Sequence, residues 1–300
     1  MKKTKILTVL LCIAMILSCV FLPACNSDSD ADKAPNDPPA SSDSNPDNTP
    51  ADPDNGDDGE PEEPVSKLSG KTIIWNGDSI CKGATDTGTW ADRIATWNGV
   101  STWKNYGVGG GTITENVLYQ NGSTRHSVSA TLDQMHEEYP NADYVIIEGG
   151  TNDADLLGRI TQGQSADRFG TVSPNNFSGN YDRDTFCGAL ESVFYRAKQL
   201  WPNAKICYIV AQKMGTNPDT SDNRYAYFQA AMDICEKWEI PYLNLWDDCE
   251  LDPTDVDMYN SSMTADQNEA AGSMYRDGQH LTAAGYDLTT EIIDRWLKTL

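Results

Sequence analysis

Histidine is scarce in this chain, at three among 300 residues, and basic residues are outnumbered by acidic ones, 22 against 45. So few histidines, and no cysteine pair at zinc-ligand spacing, argue against a structural zinc. A formal net charge of −23 makes nucleic acid and anionic lipid poor partners. The glycine cluster Gly107, Gly109, Gly110 and Gly111 misses the dinucleotide fingerprint, because Thr112 stands at its third glycine position, and no phosphate-loop lysine follows. Asp252, Asp255 and Asp257 lack the glycine and terminal glutamate of a calcium loop. No metal or cofactor is expected. Long apolar runs are also missing, with one exception.

That exception opens the chain. Lys2, Lys3 and Lys5 precede a continuous apolar run, Ile6–Leu22, which closes at Pro23-Ala24-Cys25 before polar Asn26-Ser27-Asp28. Residues 1–24 have the layout of an export signal. The small residue followed directly by cysteine resembles the lipobox of bacterial lipoproteins, which implies diacylation of Cys25. Cys19 is a competing site, but cleavage there would leave Val20–Leu22 exposed. A transmembrane anchor is the alternative, and a run of about 17 residues is at the short end for one. Both place the remainder outside the cytoplasm, with contact to the membrane only through this segment.

From Asn26 to about residue 66 the chain is Asp, Pro, Ser, Asn and Glu with almost nothing to bury. Such a segment cannot offset its ordering entropy and is expected to be a disordered tether. Its reach is at least about 35 Å. Residues 67–300 are then one domain, ample for a full core. Cys81, Cys187, Cys207, Cys235 and Cys249 remain there. An odd number leaves at least one free thiol, and Cys207 lies in an apolar run suited to burial.

Short β-rich runs alternate with helical periodicity. Strands are expected at Lys71–Trp75, Thr102–Tyr106, Tyr144–Ile147, Lys205–Ala211 and Pro241–Trp246. Helices are expected at about 86–98, 123–138, 183–200 and 223–238, and from Thr282 onward. The alternation predicts an α/β fold, a parallel sheet covered on both faces. Two long polar stretches, 155–182 and 247–276, read as irregular functional loops. Ligands of such sheets bind beyond the C-terminal strand ends, where the glycine-rich turns fall.

Four motifs cluster there. Gly77-Asp78-Ser79 would expose a hydroxyl at a strand-to-helix turn, or simply cap a helix. Asn105–Thr112 offers backbone N–H groups for an anion or oxyanion. Gly149–Asp153 carries Asn152, whose amide is a neutral donor suited to an oxygen gaining charge, although an Asx turn explains it equally. Asp277-Gly278-Gln279-His280 sets a carboxylate three residues before a histidine, able to orient one ring nitrogen and leave the other as a base. His126 and His136 lie among polar neighbours and are expected to be solvated.

Together, in this order, the four motifs resemble the SGNH (GDSL-type) hydrolase family over essentially the whole domain. The resemblance implies a three-layer α/β/α, flavodoxin-like fold with a central parallel five-stranded sheet. It implies Ser79 as nucleophile, His280 as general base and Asp277 as its orienting partner. It further implies an oxyanion hole made by the Ser79 N–H, the Gly110 N–H and the Asn152 amide, with Gly110 chosen by counting five residues from Asn105. Cys81 stands where the family often has threonine, which could alter the cleft floor. The expected chemistry is hydrolysis of an ester through an acyl-enzyme.

A tethered extracellular enzyme meets glycans. Trp90, Trp97, Trp103 and Tyr275 could stack on sugars, although core packing is expected for at least two. Arg159, Arg168, Asn175 and Asn176 would form a hydrophilic rim. O-deacetylation of carbohydrate is therefore preferred over lysophospholipase or thioesterase chemistry, and over a non-catalytic binding module.

Overall fold

Ile73, Ile74 and Trp75 carry no polar side chain that could face water, and the same holds for Val145–Ile147 and for Ile206, Ile209 and Val210. Runs of this kind are stable only with both faces covered. They become the middle of a five-stranded sheet in the computed structural model, which describes residues 65–83, 88–119, 121–155, 168–216, 218–219 and 222–300. The signal segment, Cys25, nearly all of the tether, and Arg159 lie outside the described residues. Pro61–Leu300 is one compact unit.

The strands are β1 (Thr72–Asn76), β2 (Thr102–Asn105), β3 (Tyr144–Glu148), β4 (Lys205–Val210) and β5 (Tyr242–Asn244). They are all parallel, in the order β2-β1-β3-β4-β5. The helices are α1 (Ser79–Lys82), α2 (Trp90–Asn98), α3 (Leu132–Glu138), α4 (Thr151–Asp155), α5 (Phe186–Leu200), α6 (Asn223–Trp238), α7 (Leu245–Asp248), α8 (Ala265–Ala271) and α9 (Ala283–Leu297). Helices α2 and α9 pack together on one face, and α3, α5 and α6 form the layer on the other, as right-handed crossovers require. The expected three-layer α/β/α fold is the observed one. No helix among the described residues is long and apolar enough to cross a membrane.

Three boundaries depart from expectation. Helix 123–138 starts only at Leu132, after a 3-10 turn at Val128–Thr131, because Thr112 captures the backbone of His126 and Val128. β5 ends at Asn244, whose side chain accepts from the Trp246 N–H and starts α7 within the expected strand. The polar stretch 247–276 is not wholly irregular: a reciprocal Thr264–Gln267 capping box opens α8 inside it.

Two seams fix the layers relative to the sheet. Trp90 Nε1 donates to Thr289 Oγ1 at 2.9 Å, and the Trp90 and Tyr286 rings meet edge-on at 5.8 Å. On the other face, Lys237 and Glu191 form a buried ion pair at 2.5 Å. Lys237 Nζ also donates to the Ser173 and Asn176 carbonyls, binding that loop to α5 and α6. All five domain cysteines are buried and unpaired.

Candidate active site

The chain turns sharply as it leaves β1. A Cβ on Gly77 would lie 2.7 Å from Glu148 Oε2, so only glycine lets the turn close against β3. Asp78 follows, fully buried, and its Oδ1 accepts the Ile80 N–H at 2.8 Å. Asp78 is therefore the cap, and Ser79 is released to stand half-buried as the first residue of α1. The Tyr286 hydroxyl donates to the Ile80 carbonyl at 2.7 Å and Asn105 Nδ2 to the Cys81 carbonyl at 2.7 Å, holding α1 from both sides. Cys81 does not line a cleft floor: it is on the buried face of α1, and burial raises its thiol well above the ordinary range.

The histidine arrives on a self-bracing loop. Asp277 Oδ1 accepts the N–H groups of Gln279 and His280 at 3.0 and 2.8 Å, and Gly278 takes φ +78° to close the turn. The segment after β4 anchors it, through Gln212 Nε2 to the Gln279 carbonyl (3.0 Å) and the Gly215 N–H to the Gly278 carbonyl (2.8 Å). Asp277 Oδ2 then lies 2.8 Å from His280 Nδ1, and His280 Nε2 lies 3.0 Å from Ser79 Oγ. Burial alone would raise the Asp277 carboxyl, but hydrogen bonds from the His280 ring and backbone and from the Gln279 N–H hold it at about 2. The hydrogen bond to Asp277 pushes His280 above its ordinary 6.5, against the opposing effect of burial.

The glycine loop completes the arrangement. The N–H groups of Gly107, Val108 and Gly111 are bonded to Asn105 Oδ1, the Gly77 carbonyl and the Val108 carbonyl. Gly109 and Gly110 keep theirs without a partner among the described residues, and Gly110 takes φ +73°. Asn152 Nδ2 sits between the Gly111 carbonyl (2.9 Å) and Asp78 Oδ2 (3.2 Å). Asp277, His280 and Ser79 are thus linked by hydrogen bonds, and Asn152 bonds to Asp78, the residue that precedes Ser79, all beyond the C-terminal ends of β1 and β3. That is the sheet's topological switch point.

The sequence pattern of the GDSL-like lipase/acylhydrolase family matches residues 76–288. The chain belongs to that family. No curated protein matches it in sequence. Among solved structures it resembles a protein from Lactobacillus plantarum, with TM-score 0.55 and 21% identity, over 77% of this chain and 98% of that one. It also resembles a GDSL-like lipase from Bacteroides ovatus ATCC 8483, with TM-score 0.51 and 15% identity, over 77% of this chain and 100% of that one. At such identities the likeness shows the fold.

Around the four motifs of this GDSL-family chain stand residues that sequence reasoning passed over. Asp153 is buried and accepts from Ile113 N (3.0 Å), Thr114 N (2.8 Å) and Thr114 Oγ1 (2.5 Å), tying α4 to the end of the glycine loop. Arg125 Nη1 donates to the Gly110 carbonyl at 3.1 Å, with its guanidinium 4.4 Å from the Tyr119 ring centroid. Glu148 lies buried at the end of β3. Its only sequence signal is a charged residue directly after four apolar strand positions.

Other expectations fall away from the site. His126 and His136 are not solvated: both are half-buried, burial lowers His126, and the His136 ring packs on Trp201 at 5.3 Å. Trp90 and Tyr275 belong to the core, while Trp97 and Trp103 are exposed. Trp103 pairs with Ile73 near the N-terminal end of β1, away from the C-terminal strand ends where the site lies. Among the described residues no group of His, Cys, Asp and Glu converges to hold a metal ion.

Proposed function

We propose that this acylhydrolase-family protein is an extracellular serine esterase, anchored through Cys25, that removes O-acetyl groups from carbohydrate. The observation that carries the catalytic reading is the chain Asp277 Oδ2–His280 Nδ1 (2.8 Å) and His280 Nε2–Ser79 Oγ (3.0 Å). Hydrogen-bond reach between nucleophile, base and orienter is the geometric requirement of covalent acyl transfer. Ser79 attacks the ester carbonyl as its proton passes to His280 Nε2, and the imidazolium then protonates the leaving alcohol. Water repeats the sequence on the acyl-enzyme, releasing the acid and restoring Ser79.

The tetrahedral oxyanion is received by the Ser79 N–H, the free Gly110 N–H and Asn152 Nδ2. Because Asn152 already has two acceptors, the oxyanion shares one of its two hydrogens. Replacing Asn152 with alanine is expected to lower kcat by about 10²–10³ with little change in KM, measured on p-nitrophenyl acetate. An unchanged kcat would remove Asn152 from the hole.

The acetylated-glycan reading is supported by a polar groove beside α3 and α5. A groove of about 630 Å³ is lined by Glu115, Ser129, Tyr181, Arg183, Tyr195 and Arg196, among others. Glu115 directly follows Thr114, the residue tied to Asp153 beside Asn152. Aromatic rings with flanking polar groups suit sugar faces and hydroxyls. The cavity of about 440 Å³ lined by Phe169 and Tyr225 is more apolar, and neither it nor the groove has a triad residue in its lining. Hydrolysis of acetylated oligosaccharides should exceed that of long-chain acyl esters in kcat/KM. A preference for long chains would overturn the substrate assignment, and no hydrolysis of either would overturn the esterase itself.

A further inference from the structure

Beneath Ser79 lie two carboxyl groups that the triad does not use. Asp78 and Glu148 are 0% and 1% exposed, and the Asp78 N–H donates to a Glu148 carboxyl oxygen. Two carboxyl groups buried together with no cation beside them do not both ionise, so one of the pair is an acid. Their other contacts decide which. Asp78 accepts from the Ile80 N–H at 2.8 Å and from Asn152 Nδ2 at 3.2 Å, and faces both the buried Asp153 and His280. Glu148 Oε2 accepts only the longer bonds from the N–H groups of Asp78 (3.2 Å) and Cys81 (3.3 Å). Its Oε1 is buried with no donor beside it. The other titratable groups facing Glu148 are Cys81 on α1, Tyr208 on β4 and Tyr286 on α9, all neutral through burial. None supplies a positive charge. The negative charge therefore rests on Asp78 and the proton on Glu148.

We propose that Glu148 acts as a protonated positioning residue, donating to Asp78 so that one buried charge, rather than two, lies beneath the Ser79 turn and the Asn152 amide. This rests on the serine esterase reading of the same site. The consequence for catalysis follows from competition. Asp78 and a developing oxyanion draw on the same Asn152 amide hydrogens. A hydrogen bond from Glu148 satisfies part of the Asp78 charge and loosens its hold on that amide. An ionised Glu148 would do the reverse and would set a second negative charge near the oxyanion. Burial and the Asp78 charge both push the Glu148 carboxyl well above the usual range, in the direction this role requires.

The test compares Glu148→Gln with Glu148→Leu in the purified protein. Glutamine keeps a neutral donor for Asp78 and a carbonyl for the two N–H groups; leucine supplies neither. Glu148→Leu is expected to lower kcat on p-nitrophenyl acetate by about 10–100-fold at similar KM, and Glu148→Gln to recover most of it. Equal damage in both variants, or none in Glu148→Leu, would overturn the role. Infrared spectroscopy reads the proton directly and needs no activity. At neutral pH the wild type should show the carbonyl band of an undissociated carboxylic acid, and Glu148→Gln should lose it. A wild type without that band overturns the proposal even if Glu148→Leu fails to fold. A protein with the band but no ester hydrolysis would instead count against the esterase reading.

Discussion

Ser79→Ala is expected to lower kcat by a factor on the order of 10⁶ while leaving the protein folded. Triad members act as one unit, so losing the nucleophile costs about as much as losing the whole relay. The residual rate comes from the oxyanion donors and from substrate binding, neither of which the substitution touches. Stability should change by about 0.5 kcal/mol or less, because Ser79 is half-buried and, among the described residues, its side chain bonds only to His280. The cap of α1 is unaffected, since Asp78 supplies it. Two measurements check this. Hydrolysis of p-nitrophenyl acetate should vanish, and a fluorophosphonate should label the wild type and not the variant. Labelling at another residue, or activity retained within tenfold, would remove Ser79 as nucleophile.

The second large effect belongs to Asp277→Asn, with an expected loss of about 10⁴ in kcat. Asparagine keeps an oxygen for the N–H groups of Gln279 and His280, so the loop should hold its turn. Its amide would face His280 Nδ1 as a donor, driving the ring proton to Nε2. That tautomer offers Ser79 a proton instead of accepting one. The pH dependence separates this from simple damage. In the wild type the hydrogen bond to Asp277 raises the His280 pKa. Activity requires neutral imidazole, so it is lost as pH falls through a value above 6.5. In the variant the influence of Asp277 is gone while burial, which lowers the pKa, remains. The acid limb should therefore move to lower pH, below a much reduced plateau. A limb that stays in place would show that another group sets it.

The core of the fold was legible because it rests on composition that water punishes. Apolar runs such as Tyr144–Ile147 and Lys205–Ala211 have one stable destination, a buried parallel sheet, and their alternation with helices fixes the layers. Boundaries were harder where one side chain or backbone group decides between states. Asn244 ends β5 by capping the next turn, and Thr112 delays α3, and neither is visible in periodicity. The candidate site divided the same way. Ser79, Asn152 and the Asp277–His280 pair were readable because their spacing is local and sits at turn signals. Glu148 beneath Asp78 and Arg125 beside Gly110 act across the sheet and its crossings. Their partners lie 70 residues away for Glu148–Asp78 and 15 for Arg125–Gly110. No window along the chain holds both members of the first pair.

The Ser79–His280 bond spans 201 residues. Contacts so distant in sequence form only after the intervening loops have closed, and parallel sheets are slow for that reason. Each half of the site is shaped locally, Ser79 by the turn after β1 and His280 by the Asp277 loop. What joins them is the docking of α9 on α2 and the turn of α1, through Trp90–Thr289 and Tyr286–Ile80. On the proposed serine-esterase reading, hydrolytic competence is therefore a late event in the chain's maturation: a molecule can possess its sheet, its helices, Ser79 and His280, and still be inert until its first and last helices meet.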